Sequence, residues 1–220
     1  MSGEGAGNGD REPAAVSRKG VSVSHRPDAI RISLDRPPVN ALTVEMLGYI
    51  TTVIAGARAD TRPMLITGSS RIFSAGFDVK HPAPDMSAVN AAARKCITAV
   101  QQHPGLTVAA VEGAAVGLGL LIAASADILV VSRTAQLRMP EVALGIVSDV
   151  QPLRRFLPDP WIRRLCLLGE AFSAEQLHLE SAGATVCEAG TARDRAEEVI
   201  TTMNGVDAAA LRQVKQRLYE

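Results

Sequence analysis

An α/β fold is predicted for this 220-residue chain, and three observations carry the prediction. From Thr107 to Val131 the sequence reads as strand, glycine turn, buried helix and second strand. Short apolar runs of strand length alternate with helix-period stretches along the rest of the chain. Apolar residues make up 47% of the composition and aromatics only 3%, so Ala, Val, Leu and Ile must fill the core. The length is that of one ordinary domain, enough to bury a sizeable core.

The elements follow in chain order. Residues 1–20 are rich in Gly, Ser, Ala and charge, and are read as a disordered tail without the apolar segment of a signal peptide. Val21 to Ser24 and Ile30 to Leu34 alternate in polarity around Arg26-Pro27-Asp28, which predicts a hairpin. Arg36-Pro37-Pro38-Val39-Asn40-Ala41-Leu42 is a loop. Thr43 can cap a helix whose apolar face is Met46, Leu47, Ile50, Val53, Ile54 and Ala57. Met64 to Thr67 is a short buried strand that Gly68-Ser69-Ser70 ends. Val89, Ala93, Cys96, Ile97 and Val100 recur at helix spacing. Helices are expected near Val150–Phe156 and Pro160–Leu168. Ser173-Ala174-Glu175-Gln176 fits a capping box that starts another helix, with Gly183 as its stop. Ala184 to Cys187 reads as one more strand. Two amphipathic helices, about 192–203 and 206–219, close the chain. Residues 21–190 thus form the core and 191–220 a C-terminal helical region. The sequence itself contains no repeat.

Composition excludes several functions. Lys and Arg balance Asp and Glu at 23 each, so no net charge draws the chain to nucleic acid or to an anionic membrane. No apolar run reaches membrane-spanning length. Cys96, Cys166 and Cys187 are odd in number and lack metal spacing, as buried thiols of a reducing cytoplasm would. His25, His81, His103 and His178 are scattered and make no metal pair. Ser69 and Ser70 have no His and Asp partners at triad spacing.

The stretch from Thr107 to Ile146 organises the chain. The strand Thr107–Val111 ends at Glu112-Gly113, and Gly113, Gly117 and Gly119 follow. Glycines ahead of a helix bring backbone N–H groups close to a ligand, and the helix start adds partial positive charge. The buried helix runs from Leu118 to Ala126, and Asp127 precedes the strand Ile128–Val131. Pro140-Glu141 then sets a carboxylate in apolar surroundings. The spacing Gly-x-x-x-Gly-x-Gly also opens short-chain dehydrogenases. Those place it at the first strand and use a Tyr-x-x-x-Lys pair. Here Tyr49 is followed four residues on by Val53, and Tyr219 lies at the end of the chain, so that chemistry is missing.

Three blocks are similar to the crotonase superfamily, the enoyl-CoA hydratase/isomerase family. They are Ile72 to Lys80 (Ile-Phe-Ser-Ala-Gly-Phe-Asp-Val-Lys), Val108 to Asp127, and Met139-Pro140-Glu141 with Leu144-Gly145. Their order and spacing match too, and the resemblance runs from about Val21 to Lys215. It implies a crotonase-like spiral of ββα units with a short helical C-terminal region. It also implies chemistry on an acyl-CoA thioester, in a cytoplasmic homotrimer or dimer of trimers. CoA arrives as part of the substrate, with no metal or redox cofactor. Chains of this family usually continue some tens of residues past the position of Lys215, as helices that cover the acyl pocket and aid trimer packing.

The resemblance also implies residue roles. The substrate meets Ala75, Phe77, Asp78, Val79, Lys80, Gly117, Leu118 and Leu121. The backbone N–H groups of Phe77 and Leu118 bind the thioester oxygen and stabilise an enolate. The family usually has glycine where Leu118 stands, and leucine keeps the N–H. Asp78 caps the turn it sits in, and Lys80 either reaches the CoA phosphates or is a solvated lysine. Glu141 matches a catalytic glutamate; its plainer role is a first-turn helix residue after proline. Hydratases of the family carry a second glutamate where this chain has Leu121, which argues against the two-glutamate mechanism. Asp149, eight residues past Glu141, resembles the aspartate of dienoyl-CoA isomerases, or it caps a helix before Val150. The resemblance is nearest to the isomerase branch. Double-bond isomerisation is therefore expected first, then hydration, then acyl-CoA binding without catalysis.

Overall fold

The computed structural model describes residues 15–80 and 85–219. Its centre is a spiral of three successive turns, each contributing one strand to each of two sheets. The first turn is β4 (Met64–Thr67) and β5 (Ile72–Ser74), followed by helix α2 (Met86–Gln102). The second is β6 (Thr107–Val111) and β7 (Ala114–Val116), followed by α3 (Leu118–Ser125). The third is β8 (Ile128–Ser132) and β9 (Gln136–Arg138), followed by 3₁₀ turns at Glu141–Leu144 and Gln151–Arg155 and then α4 (Asp159–Leu168). Equivalent strands of successive turns pair in parallel, β4 with β6 with β8 and β5 with β7 with β9. The expected crotonase-like spiral of ββα units is the architecture found.

Ahead of the spiral lie β1 (Val16–Arg18), β2 (Val21–His25), β3 (Ile30–Leu34) and α1 (Val44–Gly56). After it come β10 (Ala171–Ser173), β11 (Thr185–Cys187), α5 (Ala192–Thr201) and α6 (Ala208–Leu218). The large sheet has the order β1-β2-β3-β4-β6-β8-β11, and the small one β10-β9-β7-β5.

Both faces of the large sheet are covered, which is why its central strands read as unbroken apolar runs. Ala109, Val111, Leu129 and Val131 face the main core with α1, α2 and α3. Val108, Ala110 and Val130 alternate to the other face, under Ala192, Ala196 and Ile200 of α5. All eight residues of α3 are buried, so it is a core helix with no polar side. Thr43 caps α1 as expected: its Oγ1 accepts the Met46 N–H at 3.2 Å. Helix α6 is tied down by Lys215, whose Nζ donates to Asp127 Oδ2 at 2.6 Å and to the Gly105 carbonyl at 3.0 Å.

Three expectations need correction. The stretch read as tail contains β1, which pairs antiparallel with β2. Lys19 and Gly20 between them both have positive φ, 54° and 77°, the pattern of a two-residue primed hairpin turn. The remainder of that tail, residues 1–14, and His81 lie outside the described residues. The capping box at Ser173 forms both of its hydrogen bonds, Gln176 N–H to Ser173 Oγ at 3.1 Å and Ser173 N–H to Gln176 Oε1 at 2.8 Å. Yet no helix follows it; the segment to Gly183 is a chain of turns. His178 there has φ 52°, which breaks helical progression for a non-glycine residue. Finally, the near-helical stretch at 150–156 is a 3₁₀ turn over Gln151–Arg155.

Candidate active site

Two backbone turns meet at the C-terminal ends of β5 and β7. Gly76, with φ 88°, lets them touch: a Cβ there would lie 2.9 Å from the Val116 carbonyl oxygen and 3.6 Å from the Leu118 nitrogen. Leu42 bonds on either side of Phe77, its N–H to Gly76 O at 2.8 Å and its carbonyl from Asp78 N–H at 2.9 Å. That parallel bridge leaves the N–H of Phe77 itself without an acceptor among the described residues. Leu118 opens α3, where first-turn N–H groups have no intrahelical partner. Leu121 N–H closes the first helical bond to Gly117 O at 3.0 Å, and Leu118 N–H likewise has no acceptor among the described residues. Phe77 and Leu118 line one cavity of about 360 Å³.

A buried polar network fixes this junction. Ser74 Oγ donates to Asn40 O at 2.7 Å and accepts the Gly76 N–H at 3.1 Å. Asn40 has φ 50°; its Oδ1 accepts Arg36 N–H at 3.0 Å and its Nδ2 donates to Phe73 O at 3.2 Å. The Arg36 guanidinium spans Ala41 O at 3.0 Å and Asp78 Oδ2 at 2.7 Å. Sequence reasoning missed Arg36, Asn40 and Ser74. The available signal was an asparagine in a proline loop, a residue type that tolerates positive φ.

Glu141 comes from the end of β9. Its carboxylate packs against Gly117, where a Cβ would lie 3.0 Å from Glu141 Cδ and would overlap Oε1 outright. Glu141 Oε2 is buried and has no hydrogen-bond partner among the described residues. Burial holds this carboxyl above its ordinary range. The thiol of Cys166 on α4 is also raised, by burial first and then by the Glu141 charge, a neighbour the sequence did not disclose.

The cavity gathers most of the anticipated residues. Ala75, Phe77, Val79, Gly117, Leu118, Leu121, Glu141 and Asp149 all line it. Leu121 is 2% exposed and supplies an apolar wall from α3. Asp149 is exposed, and its Oδ1 accepts Gln151 N–H at 3.0 Å, so it does cap the turn that follows while bordering the cavity. Asp78 and Lys80 are not in the lining. The Asp78 carboxylate is held by Arg36 and by the Lys80 N–H at 3.0 Å. Lys80 itself is exposed. The α2 wall adds Asn90 and Arg94, neither of which the helix spacing singles out. No cluster among the described residues has the donors to hold a metal ion. No described helix is long and apolar enough to cross a membrane.

Chemically, this is a pair of unused N–H donors, a proton-hungry carboxylate and an apolar wall around one hollow. Known proteins share its framework. The chain is 30% identical over 164 residues to a Mycobacterium tuberculosis protein named (7aS)-7a-methyl-1,5-dioxo-2,3,5,6,7,7a-hexahydro-1H-indene-carboxyl-CoA hydrolase, covering 71% of this chain and 66% of that one. It is 30% identical over 166 residues to a Bacillus subtilis protein named "Probable enoyl-CoA hydratase", covering 70% and 64%. It therefore spans just under two thirds of the length of these two relatives. A Thermobifida fusca chain crystallised with CoA superposes with a TM-score of 0.81 at 28% identity, over 91% of this chain and 84% of that one. The profile described as Enoyl-CoA hydratase/isomerase matches residues 27–220. With the whole spiral inside that match, the chain belongs to the enoyl-CoA hydratase/isomerase family.

Proposed function

We propose that the protein isomerises the double bond of an enoyl- or dienoyl-CoA. The thioester oxygen sits between the Phe77 and Leu118 N–H groups. Glu141, as carboxylate, takes a proton from the carbon next to the carbonyl of a 3-enoyl thioester. The electron pair of that C–H bond moves into an enolate, whose oxyanion the two donors stabilise; one such donor is typically worth roughly 3–4 kcal/mol. The same proton, or another, then returns further along the chain, so the double bond shifts and the mass does not change. The observation that carries this reading is a half-buried carboxylate with one buried, unpartnered oxygen, in a cavity that Leu121 also lines as an apolar wall. One acid suffices to move a proton, whereas water addition is easier with two. For a 3,5-dienoyl substrate, Asp149 at the cavity edge is the second proton carrier, and Lys80 reaches the CoA phosphates.

Hydration is the second reading, favoured by Asp149 in the lining and by the name of the Bacillus subtilis relative. The test is a panel of 2-enoyl, 3-enoyl and 3,5-dienoyl thioesters read by mass and ultraviolet absorbance. Isomerisation without mass change is expected, abolished in Glu141→Gln while acyl-CoA binding persists. A product heavier by one water would assign hydration. Saturable binding of every thioester with no turnover would leave a binding protein and overturn both.

A further inference from the structure

A second hollow lies on another face of α2; Arg94, at the rim between them, lines both it and the cavity just described. Three helices present one stripe each to it. From α1 come Thr51, Ile54 and Ala55, and from the turn just past its end Arg58, spaced at three, four and seven residues. From α2 come Ala91, Arg94, Lys95, Thr98 and Gln102, again at helical spacing. The hollow continues into an adjoining one that α6 borders with Arg212, Lys215, Gln216 and Tyr219. The two hollows share Arg58, Thr98, Gln102, His103 and Pro104, so they form one groove. Their volumes are about 380 and 800 Å³.

The charge of this groove is one-sided. Among the described residues that line it, none is Asp or Glu. Lys215 is neutralised by Asp127. Arg58, Arg94, Lys95 and Arg212 make no ion pair or side-chain hydrogen bond among the described residues. Three unpaired cations, Arg58, Lys95 and Arg212, thus face this groove alone, with Arg94 shared with the Glu141 cavity, in a chain whose formal net charge is zero. A concave wall of one sign concentrates counter-ions far more than the same charges spread over a convex surface. At the waist of the groove, His103 is 1% exposed and its Nδ1 has no hydrogen-bond partner. Its Nε2 lies 2.9 Å from the Arg62 carbonyl, an acceptor, so Nε2 carries the proton. In the neutral ring Nδ1 is then a bare lone pair that calls for a donor. A ligand that satisfies both the cations and this lone pair is an oxyanion that also carries a hydroxyl.

We infer that the groove between α1, α2 and α6 binds a small multiply charged oxyanion, a polyphosphate or a hydroxylated polycarboxylate, at a site separate from the Glu141 cavity. The guanidinium groups of Arg58 and Arg212 and the ammonium of Lys95 hold the anionic oxygens, and His103 accepts the hydroxyl. The proposal is independent of the reaction at Glu141.

Calorimetric titration of the full chain with inorganic pyrophosphate and, separately, with citrate tests it. Saturable binding of at least one is expected, weakened by added salt as charge contacts are. In Arg58→Gln/Lys95→Gln, whose side chains are exposed and whose fold is checked by circular dichroism, binding should weaken at least about tenfold, the loss expected when two charge-assisted contacts go. Saturating butyryl-CoA should leave the affinity unchanged. Stronger binding of pyrophosphate identifies a phosphate ligand, and stronger binding of citrate a polycarboxylate. No saturable heat up to about 10 mM of either anion, the weak limit of specific recognition, would overturn the proposal. So would binding that the double variant retains in full, or that butyryl-CoA displaces.

Discussion

Replacing Gly117 by alanine separates the two things this glycine does. Its backbone has φ 53° and ψ −125°, a conformation that costs a residue with a Cβ about 1–3 kcal/mol. Its missing side chain also makes room for the Glu141 carboxylate, since a Cβ would stand 3.0 Å from Glu141 Cδ and overlap Oε1. The carboxylate must therefore swing aside by on the order of 1 Å, and a misplacement of that size costs about a hundredfold in rate. Gly190→Ala isolates the first effect. Gly190 has φ 86° and open space where its Cβ would go. Both variants should lose about 1–3 kcal/mol, or roughly 2–10 °C in melting temperature for a chain of this size. Gly117→Ala alone should lose about a hundredfold in kcat/KM for the thioester that the wild-type protein turns over. Thermal melts followed by circular dichroism, with steady-state kinetics on the same preparations, check both halves. If Gly117→Ala melts lower but keeps kcat/KM within about threefold of wild type, less than 1 kcal/mol, the contact with Glu141 does not position the carboxylate and the reasoning fails.

Three further outcomes follow from other sites. Because burial raises the Glu141 carboxyl in the folded state, its ionisation destabilises the fold as pH rises from the unfolded value near 4.5 through the folded one. Glu141→Gln should therefore melt higher than wild type at neutral pH and close to it below about pH 4; equal melting temperatures at both would refute the burial argument. Leu121→Glu puts a polar group at a 2% exposed position and should cost about 1–3 kcal/mol, while raising the hydration of a 2-enoyl thioester above the parent rate, read as mass gain. Lys215→Met removes the close cation of a buried pair and leaves Asp127 only the more distant Arg155, at 3.9 Å, so urea unfolding should show a loss of up to about 3 kcal/mol; an unchanged midpoint would mean that α6 does not depend on this anchor.

Apart from β1, the large sheet and the first two helices were legible because their signals are long. Met64–Thr67 and Thr107–Val111 are apolar apart from their threonines, and α1, capped by Thr43, and α2 carry helix-period faces. The small sheet was invisible. Its strands β5, β7, β9 and β10 have three residues each, too few to express a period, and Ala114–Val116 hides inside what reads as a glycine turn. The absence of a helix after Ser173 shows the converse: a correct local cap does not propagate when a residue five positions on adopts positive φ. At the site, residues with motif neighbours, such as Phe77, Leu118 and Glu141, could be singled out. Asn40, Ser74 and Arg94 could not, because a polar residue in a loop or on a helix gives no hint that it will be buried or face a hollow. Asp149 carried two readings in the sequence, and both its cap and its place at the cavity edge are present.

The order of the small sheet has a further consequence. Phe77, Leu118 and Glu141 each follow within three residues of the end of β5, β7 and β9, which are adjacent in the order β9-β7-β5. Parallel neighbours stand about 4.8 Å apart. Two N–H groups at that separation can both reach one oxygen, since each needs only about 2.9 Å. Backbone pairing thus brings the two turns side by side, and the Ser74 and Asn40 hydrogen bonds hold the first of them in place. The side chains just beyond each strand end are then free to change one at a time. A new reaction needs a new residue on one rung, with the other two still in register.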